Sequence, residues 1–371
     1  MLKLEARPQP SKAMSLASPL IALAITVLVG IALFMLLGKD PVRGLQMFFV
    51  EPAKNAYALS ELSVKAVPLV LIALGLAVCF RSNIWNIGAE GQFVLGAMAG
   101  GWVAMQADAH TGRWIVLAIL LAGVLGGMLW AAIVALLRDR FNANEILVSL
   151  MLVYVADMLL GYAVYGPWKD PQGYNFPQSI SFLAVTKIPR LFDGSLRINI
   201  GAPIALLAVG ACWLFLFRTY RGFQLQVGGL APAAARYAGF SSRTALWTAL
   251  LLSGGAAGLA GALEVAGPLG QLTPYVPAGY GFAAIIVAFV GRLHPVGIVF
   301  SAVLMSMFYI GGELAQSRLG LPKAITGVFQ GLLLFALLAC DTLIHYSLRW
   351  APAQPRPVAP AAAHTTTVKE A

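Results

Sequence analysis

The segment RSNIWNIGAEGQ, Arg81 to Gln92, sets Asn86, Glu90 and Gln92 between two long apolar runs. A carboxylate and two carboxamides so closely spaced offer hydrogen-bond acceptors and donors of the kind that ribose or sugar hydroxyls require. In hydrocarbon such groups are expensive. An ionised carboxylate at the centre of a membrane helix costs about 2.5–3.5 kcal/mol on insertion scales, so it must be paired, protonated or wet. Irregular, polar backbone at membrane depth is tolerated where protein buries it or where it lines a water-filled path. The segment therefore predicts a conduit for a polar solute. Two roles fit Glu90: a path or gate residue, or a structural carboxylate capping the helix that follows, where the helix dipole favours negative charge. Asn86 and Gln92 likewise either meet solute hydroxyls or stitch the break to neighbouring helices.

The elements that position these residues are membrane helices. Of 371 residues, 59% are hydrophobic and only 11% charged, and the mean hydropathy of +0.80 lies far from the soluble average. The long continuous apolar runs do not alternate with period two, which argues for helices and against a barrel. Apolar windows fall at Pro19–Leu37, Ser63–Phe80, Gln92–Gln106, Trp114–Leu137, Glu145–Tyr165, Asn199–Phe217, Thr244–Ala266, Ala278–Val290, Pro295–Gly312 and Pro322–Cys340. The predicted fold is all-α and integral to the membrane, with about ten transmembrane helices. The third and eighth windows are short. Each follows a Gly- or Pro-rich stretch, the second being Gly267 to Gly281, and paired broken helices of this kind point to a transport site. Beside that second break, Tyr280 and Phe282 could stack on a base or sugar face, or serve as interfacial aromatics. Glu264, near the end of the seventh window, faces the same choice as Glu90.

Lys and Arg in the short loops orient the chain. With the N-terminus inside, Lys3, Arg7, Lys12, Arg138, Arg140, Arg218, Arg221, Arg236, Arg243, Arg292 and Arg349 lie on the cytoplasmic face. Both termini are then cytoplasmic. The expected organisation is a tail over residues 1–18, a polytopic domain over 19–341 and a largely disordered cytoplasmic tail over 342–371. Inside the domain, 166–198 is a long external loop and 218–244 a long cytoplasmic one. The net charge of +10 fits this topology and anionic membrane lipid, not nucleic acid. Cys79, Cys212 and Cys340 lie in or beside apolar windows without metal-like spacing, so no disulfide, metal or cofactor is expected. No Ser/Lys or His/Asp constellation suggests an enzyme.

The cytoplasmic loop carries its own signals. Pro232 followed by AAARYA reads as a short helix, and Gly239 is placed to stop it in the left-handed conformation. Small residues there allow close docking in a partner's cleft. Asn144 is a natural N-cap for the fifth span. Gly254, Gly255, Gly258 and Gly261 recur at small-residue spacing, which lets helices pack closely.

NIGAEGQ, ANEILVSLMLVYVAD (Ala143 to Asp157), APAAARYAGF and GYGFAAIIVAFVGRLHPVGIVFSAVL (Gly279 to Leu304) together resemble the permease subunits of bacterial ABC importers. The closest likeness is to the simple-sugar and nucleoside branch, related to the branched-chain amino-acid permeases. The likeness covers roughly Ser63 to Cys340. It implies alternating-access import of a nucleoside or simple sugar across the bacterial plasma membrane. It also implies cytosolic ABC ATPase subunits, a second homologous permease and an external substrate-binding protein as partners. The chain has no P-loop pattern, so ATP hydrolysis falls to the separate ATPase. By the same likeness the stretch Gln224 to Ser241 within the 218–244 loop couples to that ATPase, with Pro232, Ala234, Ala235 and Gly239 on the family's pattern and Arg236 among the coupling residues. The path falls around Asn86, Glu90, Gln92, Tyr280 and Phe282. The sequence departs from the family in having Val153 before Tyr154, where an Asn-Tyr pair is common, and Gln226 where an Arg often stands. The competing class is an ion- or proton-coupled transporter or channel working without an ATPase, with Glu90 or Glu264 as the coupling site.

Overall fold

The computed structural model describes residues 2–6, 12–108, 110–192, 196–322 and 324–350. A short strand β1 (Leu2–Ala6) leads into α1 (Lys12–Leu36), α2 (Pro41–Phe49) and, after a 3-10 turn at Glu51–Ala53, α3 (Ala56–Arg81). Next come α4 (Ala89–Met105), α5 (Ile115–Phe141), α6 (Glu145–Tyr165) and α7 (Gly201–Arg218). The chain continues with α8 (Tyr220–Leu230), α9 (Pro232–Tyr237) and α10 (Ser242–Glu264), whose end winds into a π-helical turn at Val265–Leu269. It closes with α11 (Tyr280–Val290), α12 (Pro295–Leu319), α13 (Ala324–His345) and β2 (Tyr346–Trp350), antiparallel to β1.

Every apolar window of the sequence is a helix. Among the described residues, seven helices are long and apolar enough to cross a membrane. The third and eighth windows are the short ones: α4 has 17 residues and α11 has 11. At 1.5 Å per residue α11 extends about 16 Å, half a hydrocarbon core, so it cannot cross by itself. Helix α1 begins at Lys12, inside the stretch expected to be a tail. At the other end, the stretch expected to be a tail from residue 342 carries the end of α13 and β2 as far as Trp350; residues 351–371 lie outside the described residues.

Side-chain caps start several helices, at Asn144 as the sequence predicts and at two further positions. Asn144 Oδ1 accepts the Ile146 N–H at 2.9 Å, Asn55 Oδ1 that of Ala58 at 2.7 Å, and Ser241 Oγ that of Thr244 at 3.2 Å. Each satisfies a backbone donor that helix geometry leaves open. Helix α2 has no counterpart among the apolar windows. Asp40 caps it, and it plugs Phe48 into an aromatic cluster with Phe34, Phe308 and Phe329 from α1, α12 and α13.

The core is a three-helix block of α4, α5 and α10 in backbone contact. A methyl group added at Gly258 would lie 2.1 Å from the Gly123 carbonyl oxygen, one at Gly96 2.2 Å from Gly258 Cα, and one at Gly261 2.1 Å from the Phe93 oxygen. The glycine series expected to pack closely does so on both neighbouring helices at once. Helix α3 runs along this block and is buried over most of its length.

The long connection before α7 is not a free linker among its described residues. Ser179 donates its N–H to Leu272 O at 2.9 Å, Phe182 to Gly270 O at 2.8 Å and Ile188 to Ala266 O at 2.9 Å. It thereby pairs, strand-like, with the chain leaving α10, which is the start of the second break.

Candidate functional site at the junction of two broken helices

The first break turns on Asn83, whose φ of 55° is left-handed, a conformation Asn tolerates better than most residues. Arg81 fixes its entrance: Nε donates to Leu293 O at 2.8 Å and Nη1 to Gln226 Oε1 at 3.1 Å. Deeper in, Asn86 and Gln92 exchange carboxamide hydrogen bonds, Asn86 Nδ2 to Gln92 Oε1 at 3.0 Å and Gln92 Nε2 to Asn86 Oδ1 at 3.1 Å. Asn86 also donates to Ser253 Oγ on α10 at 3.0 Å and accepts the Gly88 N–H at 3.1 Å. Both carboxamides are fully buried. Of the two roles open to them, the stitch is the one the geometry displays. Replacing Asn86 with Leu leaves the Gln92 amide, the Ser253 hydroxyl and the Gly88 N–H short of partners, each omission worth about 1–3 kcal/mol. We expect Asn86→Leu to lower the thermal midpoint in detergent and the yield of folded protein; an unchanged midpoint would contradict the network.

Glu90 lies in the first turn of α4 and is 2% exposed. Its carboxylate does not cap α4. Oε1 accepts the Gly279 N–H at 2.8 Å, and Oε2 accepts the Gly281 N–H. These are the open donors at the start of α11. The reason is directional: Cα–Cβ bonds tilt toward a helix's own N-terminus, so a first-turn side chain projects beyond it, here into the neighbouring break. The cap anticipated for the third span thus belongs to the eighth. Gly279 adopts a left-handed φ of 79°, and a methyl at Gly281 would lie 2.3 Å from Glu90 N. Glycine is therefore required at 281 by close approach and favoured at 279 by conformation. One carboxylate joins both interruptions.

Tyr280 is 1% exposed. Its ring meets Phe93 edge-on at 5.8 Å and Tyr309 at 5.3 Å, and Lys65 Nζ lies 5.9 Å from its centroid. Phe282, two residues on, is 41% exposed, so the two aromatics do not share a face. Glu264 is buried at the opposite end of α10 from Ser242, where Lys65 and Arg197 act on it electrostatically. Lys65 pairs with Glu313 at 3.2 Å. Neither Lys65 nor Ser253 was singled out from the sequence; each was a polar residue inside an apolar window, which was the available signal.

At the far end of the bundle, the 218–244 loop forms two helices, not one. Pro232 opens α9, and Gly239 follows it with a left-handed φ of 77°. Ala234 and Arg236 are exposed while Ala235 is buried toward α8 and α10. A cleft of about 250 Å³ lies between these helices, lined by Arg221, Gln224, Pro232, Ala235, Arg236 and Phe240 among others. Tyr237 and Leu230 project from it, 97% and 86% exposed.

A multi-helix membrane bundle whose two interrupted helices meet at a buried carboxylate belongs to the class of transport proteins. Residues 58–338 match the family described as "Branched-chain amino acid transport system / permease component". The chain belongs to this family. It is 32% identical to the glucose ABC transporter permease protein TsgB13 of Haloferax volcanii, over 93% of each chain. It is 30% identical to the guanosine ABC transporter permease protein NupP of Bacillus subtilis, over 84% of this chain and 89% of that one. To NupQ, the second guanosine permease of the same organism, it is 27% identical over 72% and 85%. The chain is thus a multi-pass permease subunit of an ABC transporter in the plasma membrane, with ATP hydrolysis carried by a separate subunit.

Proposed function

We propose that this permease imports a nucleoside or simple sugar by alternating access, with Asn86, Glu90, Gln92, Tyr280 and Phe282 framing the path. The observation that carries the reading is the Glu90 carboxylate gripping the Gly279 and Gly281 N–H groups at the start of α11. It makes two interruptions into one hinge, and a rocking motion needs such a discrete, breakable contact. Glucose and guanosine, handled by the relatives, are the solutes to try first. With ten crossings, α11 completing its own only together with the irregular segment that precedes it, both termini return to the cytoplasm, and the pairing of β1 with β2 supports ends on one face. α4 and α11 would then be the shortened pair.

Pairs of permeases such as NupP and NupQ in one organism support a second, homologous permease as partner. The others are cytosolic ATPase subunits and an external substrate-binding protein landing on the 166–198 loop. On the cytoplasmic side, α8 and α9 receive the ATPase through Pro232, Ala234, Ala235, Arg236 and Gly239. Gln226, where the family often has Arg, connects this loop to the first break through Arg81. Motion at the ATPase then reaches Asn86 and Glu90 through neighbouring polar contacts.

Two measurements test this. Proteoliposomes holding the permease pair, ATPase and binding protein should take up labelled guanosine or glucose with ATP; uptake by this chain alone under a proton gradient would overturn the reading. In the second, Gly239→Trp should insert normally yet fail to copurify with the ATPase. A methyl at Gly239 meets nothing within 4 Å in this chain, so the indole would jut into the partner, while the left-handed φ of 77° at this position adds local strain at the end of α9. Unchanged copurification would remove α9 from the contact.

A further inference from the structure

We propose that Asp157 on α6 is a direct solute contact at mid-membrane, accepting hydrogen bonds from vicinal hydroxyls of an uncharged solute whose ring lies against Tyr154. The inference rests on the permease reading above and adds a residue to it. Asp157 is the thirteenth of 21 residues in α6, which puts it about 18 Å from one helix end and 12 Å from the other. That is the middle of a bilayer. An ionisable side chain there marks a solute pathway unless something else satisfies it.

Comparison of the buried carboxylates decides which one remains available. Glu90 spends both oxygens on backbone donors of α11. Glu264 has the charges of Lys65 and Arg197 acting on it. Asp157 has a buried Oδ1 with no hydrogen-bond partner.

The surroundings offer a ring surface and room. Three residues before Asp157, Tyr154 is 58% exposed, although tyrosines favour the membrane interfaces over the centre. Four residues after it, a methyl at Gly161 would meet nothing within 4 Å. One helix face thus carries an aromatic ring, a carboxylate whose buried oxygen has no partner, and open space beside Gly161. Gly91, next to Glu90, packs against Val153 on α6, one turn before Asp157, and Asp157 acts electrostatically on Glu90, so the carboxylate lies on the side of α6 nearest the first break. A carboxylate beside an aromatic is suited to a ring-bearing polyol: two O–H groups donate to the oxygens while the ring packs on the tyrosine.

The test uses the complete complex in proteoliposomes, with Cys79, Cys212 and Cys340 replaced by Ala. In that background the thiol introduced by Asp157→Cys should react with a charged methanethiosulfonate reagent, and guanosine- or glucose-loaded binding protein should slow the reaction. In the native-cysteine complex, Asp157→Asn should still copurify with its partners but lose about tenfold or more of ATP-driven uptake, with Asp157→Glu recovering part of it. An Asp157→Cys thiol inert under every condition, or wild-type uptake by Asp157→Asn, would overturn the proposal. If the unsubstituted complex moves neither solute, the substrate reading fails instead, while a reactive Asp157→Cys thiol still supports a hydrated face at this depth.

Discussion

Glu90→Leu should abolish import and leave a less stable permease. The substitution strips acceptors from the buried Gly281 N–H and the part-buried Gly279 N–H; an orphaned buried donor costs about 1–3 kcal/mol and the part-buried one less, so the pair amounts to roughly 2–4 kcal/mol. It also removes a negative charge from the start of α11, where the dipole rewards one. Against a total stability of about 5–15 kcal/mol, that is a large fraction. Glu90→Gln is the informative companion. Its amide retains one acceptor oxygen but turns an NH₂ donor toward the other N–H, so it should fall between wild type and Leu in thermal midpoint and in uptake. Glu90→Asp should not restore full function, because the shorter arm falls short of both donors. Midpoint and ATP-driven uptake, measured together, check the claim; a Leu variant with normal values for both would dissociate the two breaks.

Gly258→Leu should prevent the permease from folding. Even a single added methyl would meet the Gly123 oxygen at 2.1 Å and Gly127 Cα at 2.9 Å, and both contacts are backbone, which cannot rotate away. On the other side, Gly96 already approaches Gly258 so closely that its own methyl would stand 2.2 Å from Gly258 Cα. Overpacking a core costs about 1–3 kcal/mol where side chains can adjust; here α4, α5 or both must move. Gly210→Leu on α7, where nothing lies within 4 Å, is the control and should be tolerated, since Leu favours helix more than Gly does. Size-exclusion profiles of the two variants decide it: a monodisperse Gly258→Leu peak of wild-type yield would refute the backbone seam.

The helices were legible because hydrophobicity alone must mark them: a segment crossing lipid satisfies its backbone internally and shows apolar side chains for about 20 residues. The Asn144 cap, the α9 start at Pro232 and the left-handed Gly239 were legible because each is a local rule of backbone geometry. Destinations across the bundle were not. Nothing in the spacing of NIGAEGQ says that Glu90 reaches α11 instead of its own helix, since that depends on how two distant breaks meet. Asp157 stands out in the sequence only as the last letter of a motif, because its distinguishing property is an absent partner, visible only once every neighbour is placed. Helix α2 escaped notice because nine residues are too few for an apolar window to register.

On the proposed topology, the pairing of residues 179–188 with 266–272 gives the outer surface a direct handle on the interior. A receptor that tugs on the loop displaces the very backbone that runs into Gly279, and so loads the carboxylate clasp without deforming the apolar helices between. Arrival of cargo outside and nucleotide-driven movement inside would then converge on the same few atoms from opposite directions.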